Sequence, residues 1–288
     1  MGTADVIPGV SGGTMAFILG IYEQLLAAIK SFDLECLKRL FKGDLKGALT
    51  RPHFGFVIPL FIGIIAALVF FTRVIPLPKL ILSHPELIYG LFFGLILGSI
   101  IILIKHVDQI RTKEIIQIVI GIAIGLLVVT MTPKDTPDSS WFIFLCGALA
   151  ITAMILPGIS GSFILLILGK YAHIINGIGH FDLSIIIPFG IGAALSLIFF
   201  SRFLYWLLQH FHNTTLLIIN GILIGSLWMI WPFQNRKYIE VREKQKLIES
   251  TPTLPETFDT TVLYSIALMV IGLSLVLLIG YLGDRKNN

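Results

Sequence analysis

Two short stretches of this chain hold the residue types from which an anion site can be built. Ile7–Thr14 reads IPGVSGGT and Leu156–Phe163 reads LPGISGSF. In each, a proline removes an amide donor and the glycines open backbone conformations closed to other residues, so the turn leaves peptide N–H groups unpaired. A helix starting after such a turn adds free N–H groups and a partial positive charge of about +0.5 at its first turn. Ser11, Gly12, Gly13 and Thr14 in the first stretch, and Ser160, Gly161 and Ser162 in the second, therefore combine hydroxyl and main-chain donors with glycines that let oxygen atoms approach. That set suits an anion, phosphate above all. Arg73 and Arg202, which end the matching segments FFTR and FFSR, are the fixed charges assigned to the same cradle. The competing role for them is an arginine at a helix end reaching out to lipid headgroups. Secondary candidates are Asp5, ahead of the first turn, and Glu23 and Lys170, which follow the two turns. For Asp5, capping the chain entry competes with proton coupling; for Glu23 and Lys170, an interfacial role competes with that of a ligand or, for Glu23, a proton carrier.

The elements that must position these residues are membrane helices. Of the 288 residues, 56% are hydrophobic and only 13% charged, and the mean hydropathy is +0.91, far from the composition of soluble domains. Apolar runs recur at Phe56–Thr72, Leu87–Ile104, Ile115–Met131, Trp141–Leu156, Ile185–Phe200, Leu216–Trp231 and Val262–Leu282. Each is near the roughly 20 residues that a helix needs to cross a bilayer, and a β-barrel would alternate in polarity instead. The fold class is therefore an all-α membrane protein. In hydrocarbon, irregular backbone persists only where it is buried in protein or lines a cavity, so the two turns predict a cavity at mid-depth. Cys36 and Cys146 form no disulfide framework or metal spacing, and no cofactor is implied. The net charge of +4 is loop charge, which speaks to orientation and not to nucleic acid. The start, MGTADVIPG, lacks the basic and apolar regions of a signal peptide.

The chain also repeats itself. PGVSGGTMAFILGIY (Pro8–Tyr22) aligns without gaps on PGISGSFILLILGKY (Pro157–Tyr171), and IPLFIGIIAALVFFTR (Ile58–Arg73) on IPFGIGAALSLIFFSR (Ile187–Arg202). Gly94, Gly98 and Ser99 answer Gly221, Gly225 and Ser226, and these four glycines are read as helix-packing positions. Each copy gives a re-entrant helical hairpin and three spans. Three is odd, so the second copy enters upside down, the inverted-topology repeat of many transporters, with the substrate site at mid-membrane between the repeats. The expected division is residues 1–135 (hairpin 1–32, a basic loop, three spans) and 136–288 (hairpin 141–181, three spans), within a single integral membrane domain. The basic loop Lys30–Arg51 places itself and the N-terminus on the cytoplasmic side; the basic residues after Trp231 oppose this, offset by acidic ones between Glu240 and Asp259.

Other functions fit less well. Both turns contain G-x-S-G, the surroundings of an intramembrane serine nucleophile, yet His53, His84, His106, His173, His180, His210 and His212 all lie in loops or at span ends, away from the base position such chemistry needs. A lipid phosphatase would need basic clusters in the loops that do not stand out. A transporter of a small soluble anion and a structural scaffold with closed turns remain as alternatives.

ADVIPGVSGGTMAFILGIYE (Ala4–Glu23), paired with MILPGISGSFILLILGKY (Met154–Tyr171), resembles the bacterial polyprenyl-phosphate, or undecaprenyl phosphate, translocase family, and the likeness covers nearly the whole chain. The resemblance implies a multi-pass protein of the bacterial cytoplasmic membrane, a transporter and not an enzyme, that returns undecaprenyl phosphate from the outer to the inner leaflet for cell-wall synthesis. Its implied partners are the polyprenyl phosphate lipid and the membrane, with a homo-oligomer left open. One departure stands out: the arm Trp141–Leu156 precedes the second turn, but only seven residues precede Pro8. Family members carry more sequence there, so the first arm is expected to be short.

Overall fold

The structure, a computed structural model, describes residues 1–5, 11–32, 44, 53–75, 80–81, 83–105, 111–131, 136–241, 244–255 and 257–287. Pro8 and Gly9 of the first turn lie outside the described residues. In the first repeat, α1 (Gly2–Asp5) precedes the turn, α2 (Gly12–Ile18) and α3 (Tyr22–Lys30) follow it, and α4 (Phe54–Val69), α5 (Pro85–Lys105) and α6 (Thr112–Val129) are the longer helices. In the second, the order is α7 (Ser140–Ile155), α8 (Gly161–Ile167), α9 (Tyr171–Gly179), α10 (Leu183–His210), α11 (His212–Ile230) and α12 (Thr260–Asn287). All seven apolar runs become helices. Five among the described residues, α5, α6, α10, α11 and α12, are long and apolar enough to cross a membrane. The 16 residues of α4 rise about 24 Å, short of the roughly 30 Å hydrocarbon layer, and a π-helical turn, Phe70–Val74, extends it.

One expectation needs correction: the chain is not wholly α. The charged segment after Trp231 forms an antiparallel hairpin, β1 (Gln234–Val241) and β2 (Lys244–Pro252), paired from Gln234↔Pro252 to Val241↔Lys244 with a register shift between Lys237 and Tyr238. The segment is too charged to be a span, and its YIEV and LIES stretches alternate weakly with the period of a strand.

Apolar burial does not drive helices together within lipid, so close approach at small residues must. The second span of each repeat packs along the third span of the other: α5 against α12 and α11 against α6. The contacts recur residue by residue. A Cβ on Gly94 would lie 2.0 Å from the Met269 carbonyl oxygen, and one on Gly221 would lie 2.2 Å from that of Ile118; Gly98 faces the Leu273 carbonyl as Gly225 faces that of Ile122. The glycines read as packing positions are therefore the crossing points. The two central helices are α5 and α11, with 44% and 61% of their apolar windows buried against 11–22% in the other three spans.

The repeats differ at the arm. In the second, α7 lies along α10, with Gly147 against the Phe189 carbonyl and Gly192 against that of Phe144. In the first, α4 is met by the four-residue α1. A cavity of about 480 Å³ lies beside α3, α4 and α10, lined by apolar side chains such as Leu25, Ile29, Leu60 and Leu197.

Candidate functional site

Each short helix after a turn is itself broken by a second glycine. Gly20 and Gly169, equivalent in the two repeats, have φ of +68° and +64°, the left-handed conformation that ends a helix. Ile21 N–H donates to the Ala16 carbonyl and Gly20 N–H to that of Phe17; Lys170 and Gly169 repeat the pattern on Leu165 and Leu166. These paired bonds form the Schellman arrangement, which satisfies the last carbonyls of α2 and α8. The chain then bends by 115° between α8 and α9. The apolar run after each turn is thus two short helices, α2 and α3 or α8 and α9, because a left-handed glycine cannot continue a helix.

The two turns meet. The Gly158 N–H at the second turn donates to Thr14 Oγ1 at 2.8 Å, a fully buried bond between the repeats. Ser11 caps α2 by accepting from the Gly13 N–H at 3.0 Å and donates its own proton to the Met154 carbonyl at 3.1 Å. Tyr22 Oη donates to the Ile155 carbonyl at 2.9 Å. The last carbonyls of α7 have no partners within their own helix, and the first hairpin supplies hydroxyls to two of them. Gly13 is what permits this: a Cβ there would lie 2.8 and 2.9 Å from the carbonyl oxygens of Met154 and Ile155.

This changes the reading of the first turn. Ser11, Gly12, Gly13 and Thr14 are all buried, and in this conformation the hydroxyls of Ser11 and Thr14 are committed to the second hairpin. On the other side, Gly161 is buried against the Ala150 carbonyl. The half-buried Ser160 and Ser162 hydroxyls lie 3.0 Å apart. Helices α2 and α8 have seven residues each, about two turns, so donors at the turns matter more here than a summed macrodipole.

The remaining candidates lie elsewhere. Arg73 is exposed in the π-helical turn and Arg202 is half-buried in α10. Asp5 ends α1, and its side chain lies outside the described residues. Glu23 is exposed, 3.4 Å from His212 Nδ1. Lys170 is buried and donates to the Thr136 carbonyl and Asp138 Oδ1. The segment ahead of α7 reaches over the α8–α9 bend to meet it, and Asp138 itself is exposed. The hydrogen bond from Lys170, then its charge, holds the Asp138 carboxyl below the usual carboxylate range. Sequence reasoning passed over Tyr22 as a site residue, although its recurrence as Tyr171 in the repeat was a signal.

Comparison with known proteins identifies the family. Residues 1–248 match the undecaprenyl phosphate translocase-like family. The chain belongs to that family. Among its relatives is a protein of Vibrio cholerae serotype O1 named polyprenyl-phosphate transporter, 38% identical over 238 residues, covering 81% of this chain and 75% of that one. Another of the same name, from Staphylococcus aureus, is 33% identical over 254 residues, covering 81% and 83%. No solved structure matches this family member.

Proposed function

We propose that this protein is a transporter that moves undecaprenyl phosphate across the bacterial cytoplasmic membrane, returning the lipid carrier of cell-wall synthesis to the inner leaflet. The family and the names of the two relatives support the cargo. The observation that carries the mechanism is the buried contact of the turns, Gly158 N–H to Thr14 Oγ1 at 2.8 Å. An isolated phosphate in hydrocarbon is prohibitively unstable, so the protein must replace its water with N–H and hydroxyl donors. The donors present at this junction are of that kind. The phosphate enters between the hairpins, takes over bonds that the turns now make to each other, and is released on the far side when one repeat rocks against the other. The polyprenyl tail stays in lipid throughout. In this reading the repeats are inverted, the N-terminus and the 30–51 loop are cytoplasmic, and no covalent chemistry is done.

Arg73 and Arg202 are proposed to draw the headgroup toward the turns. Neither guanidinium makes a hydrogen bond or ion pair among the described residues, so both are available to an anion. The test is leaflet-resolved transport of undecaprenyl phosphate in liposomes. Arg202→Ala is expected to lower the rate between about ten- and 150-fold, in keeping with the loss of one charge-assisted hydrogen bond of about 1.5–3 kcal/mol, and the exposed Arg73→Ala to lower it less. Unchanged rates in both variants would remove the arginines from the path.

A further inference from the structure

The central helices α5 and α11 hold three deeply buried polar side chains that the turns do not account for: Ser99, Asn220 and Ser226, exposed by 2%, 1% and 0%. A hydroxyl in an apolar helix ordinarily satisfies itself on its own backbone. Ser226 does so, donating to the Leu223 carbonyl at 2.8 Å. Its repeat equivalent Ser99 does not: among the described residues, Ser99 Oγ has no hydrogen-bond partner, and neither has Asn220 Oδ1. Asn220 lies one residue from the middle of His212–Ile230, within about 1.5 Å of the helix centre. That is the depth at which a polar side chain is most costly. Polar residues in membrane helices also serve as bonds between helices, but that role requires a partner, and the carboxamide oxygen has none among the described residues.

We propose that Asn220, with Ser99 as a second contact, binds the phosphate of the transported lipid as it passes mid-depth along the α5–α11 pair. The inference rests on the transport reading above and adds two ligands outside the turns. The chemistry matches. A carboxamide offers two N–H donors and a carbonyl acceptor, and a half-turn of its last torsion exchanges them. A phosphate monoester accepts through its oxygens and, with a second pKa near 6, donates an O–H in its singly protonated form. A hydroxyl such as that of Ser99 adds one further donor. Without the headgroup, both side chains carry unmet hydrogen-bonding capacity, as the structure shows; with it, that capacity is filled.

The test uses the full chain, purified and reconstituted, as wild type, Asn220→Leu and Ser99→Ala. Thermal unfolding is followed alone and with a short polyprenyl monophosphate, the matching polyprenol, or inorganic phosphate, and transport is followed by leaflet. Asn220→Leu is expected to unfold at or above the wild-type temperature, because it removes an unsatisfied amide. It is also expected to transport at least about tenfold more slowly and to lose most of the shift that the monophosphate gives wild type. Ser99→Ala should slow transport by a smaller factor. If the leucine variant does not fold, Asn220→Ala, which demands no extra space, gives the same readouts. Wild-type transport rates in the Asn220 variant would overturn the inference, as would a loss of several degrees in unfolding temperature with the ligand shift intact. A wild type that responds to inorganic phosphate alone, with the response lost in Asn220→Leu, would keep Asn220 as a phosphate ligand and overturn the lipid cargo.

Discussion

Gly13→Ala is expected to destabilise the protein by roughly 1–3 kcal/mol, the cost of overpacking a close contact, and to lower undecaprenyl phosphate transport by displacing the donors of the first turn. The added methyl would sit 2.8 Å from the Met154 carbonyl oxygen and 2.9 Å from that of Ile155. Both obstacles are backbone atoms at the end of α7, so neither can rotate away. The first hairpin must back off, and in doing so it lengthens the Ser11–Met154 and Thr14–Gly158 hydrogen bonds that join the turns. Leaflet-resolved transport and thermal unfolding of the same preparation check this. A variant that transports at the wild-type rate would show that contact between the hairpins lies off the path of the headgroup.

The second large effect is a contrast between two equivalent glycines. Gly192→Ala is expected to destabilise the protein by about 1–3 kcal/mol or more, because its Cβ would lie 2.0 Å from the Phe144 carbonyl oxygen where α7 crosses α10. Gly63 holds the same position in the first repeat, yet among the described residues a Cβ there meets nothing within 4 Å. Gly63→Ala should therefore be neutral, or stabilising by up to about 1 kcal/mol through helix propensity alone. Each kcal/mol corresponds to about 2–4 °C in unfolding temperature for a chain of this size class. Equal shifts in the two variants would contradict the packing difference described between the repeats.

That contrast also marks where the sequence ran out. The repeat, the seven apolar helices and the crossing glycines Gly94, Gly98, Gly221 and Gly225 were legible because period, length and small-residue spacing are properties of the chain itself. The pairing of Gly94 with α12 and of Gly221 with α6 was not, since a glycine announces a close approach without naming its neighbour. The β1–β2 hairpin was missed because a charged segment outside the spans carries only a weak alternation. Gly20 and Gly169 were hidden inside apolar runs, where left-handed glycines look like packing glycines. At the site, the residue types of the two turn stretches were readable. That Ser11, Thr14 and Tyr22 would turn toward carbonyls of α7 and the second turn was not, because a hydroxyl's partner is fixed by tertiary contact. The partner of Lys170 was hidden for a related reason: its place after a short helix is a property of the chain, and only the fold brings Asp138 over it.

The idea beneath all of this is that main-chain and hydroxyl donors at the junction of two turns stand in for water around a lipid phosphate. The most direct measurement is a structure of the protein in a lipid nanodisc with a short polyprenyl monophosphate bound. The account predicts phosphate density at the junction, within hydrogen-bonding distance of Ser160, Ser162 or the main chain of Gly12 and Gly13, with the Thr14–Gly158 bond opened. Phosphate bound only in the loops outside the bundle, with that bond still closed, would contradict it.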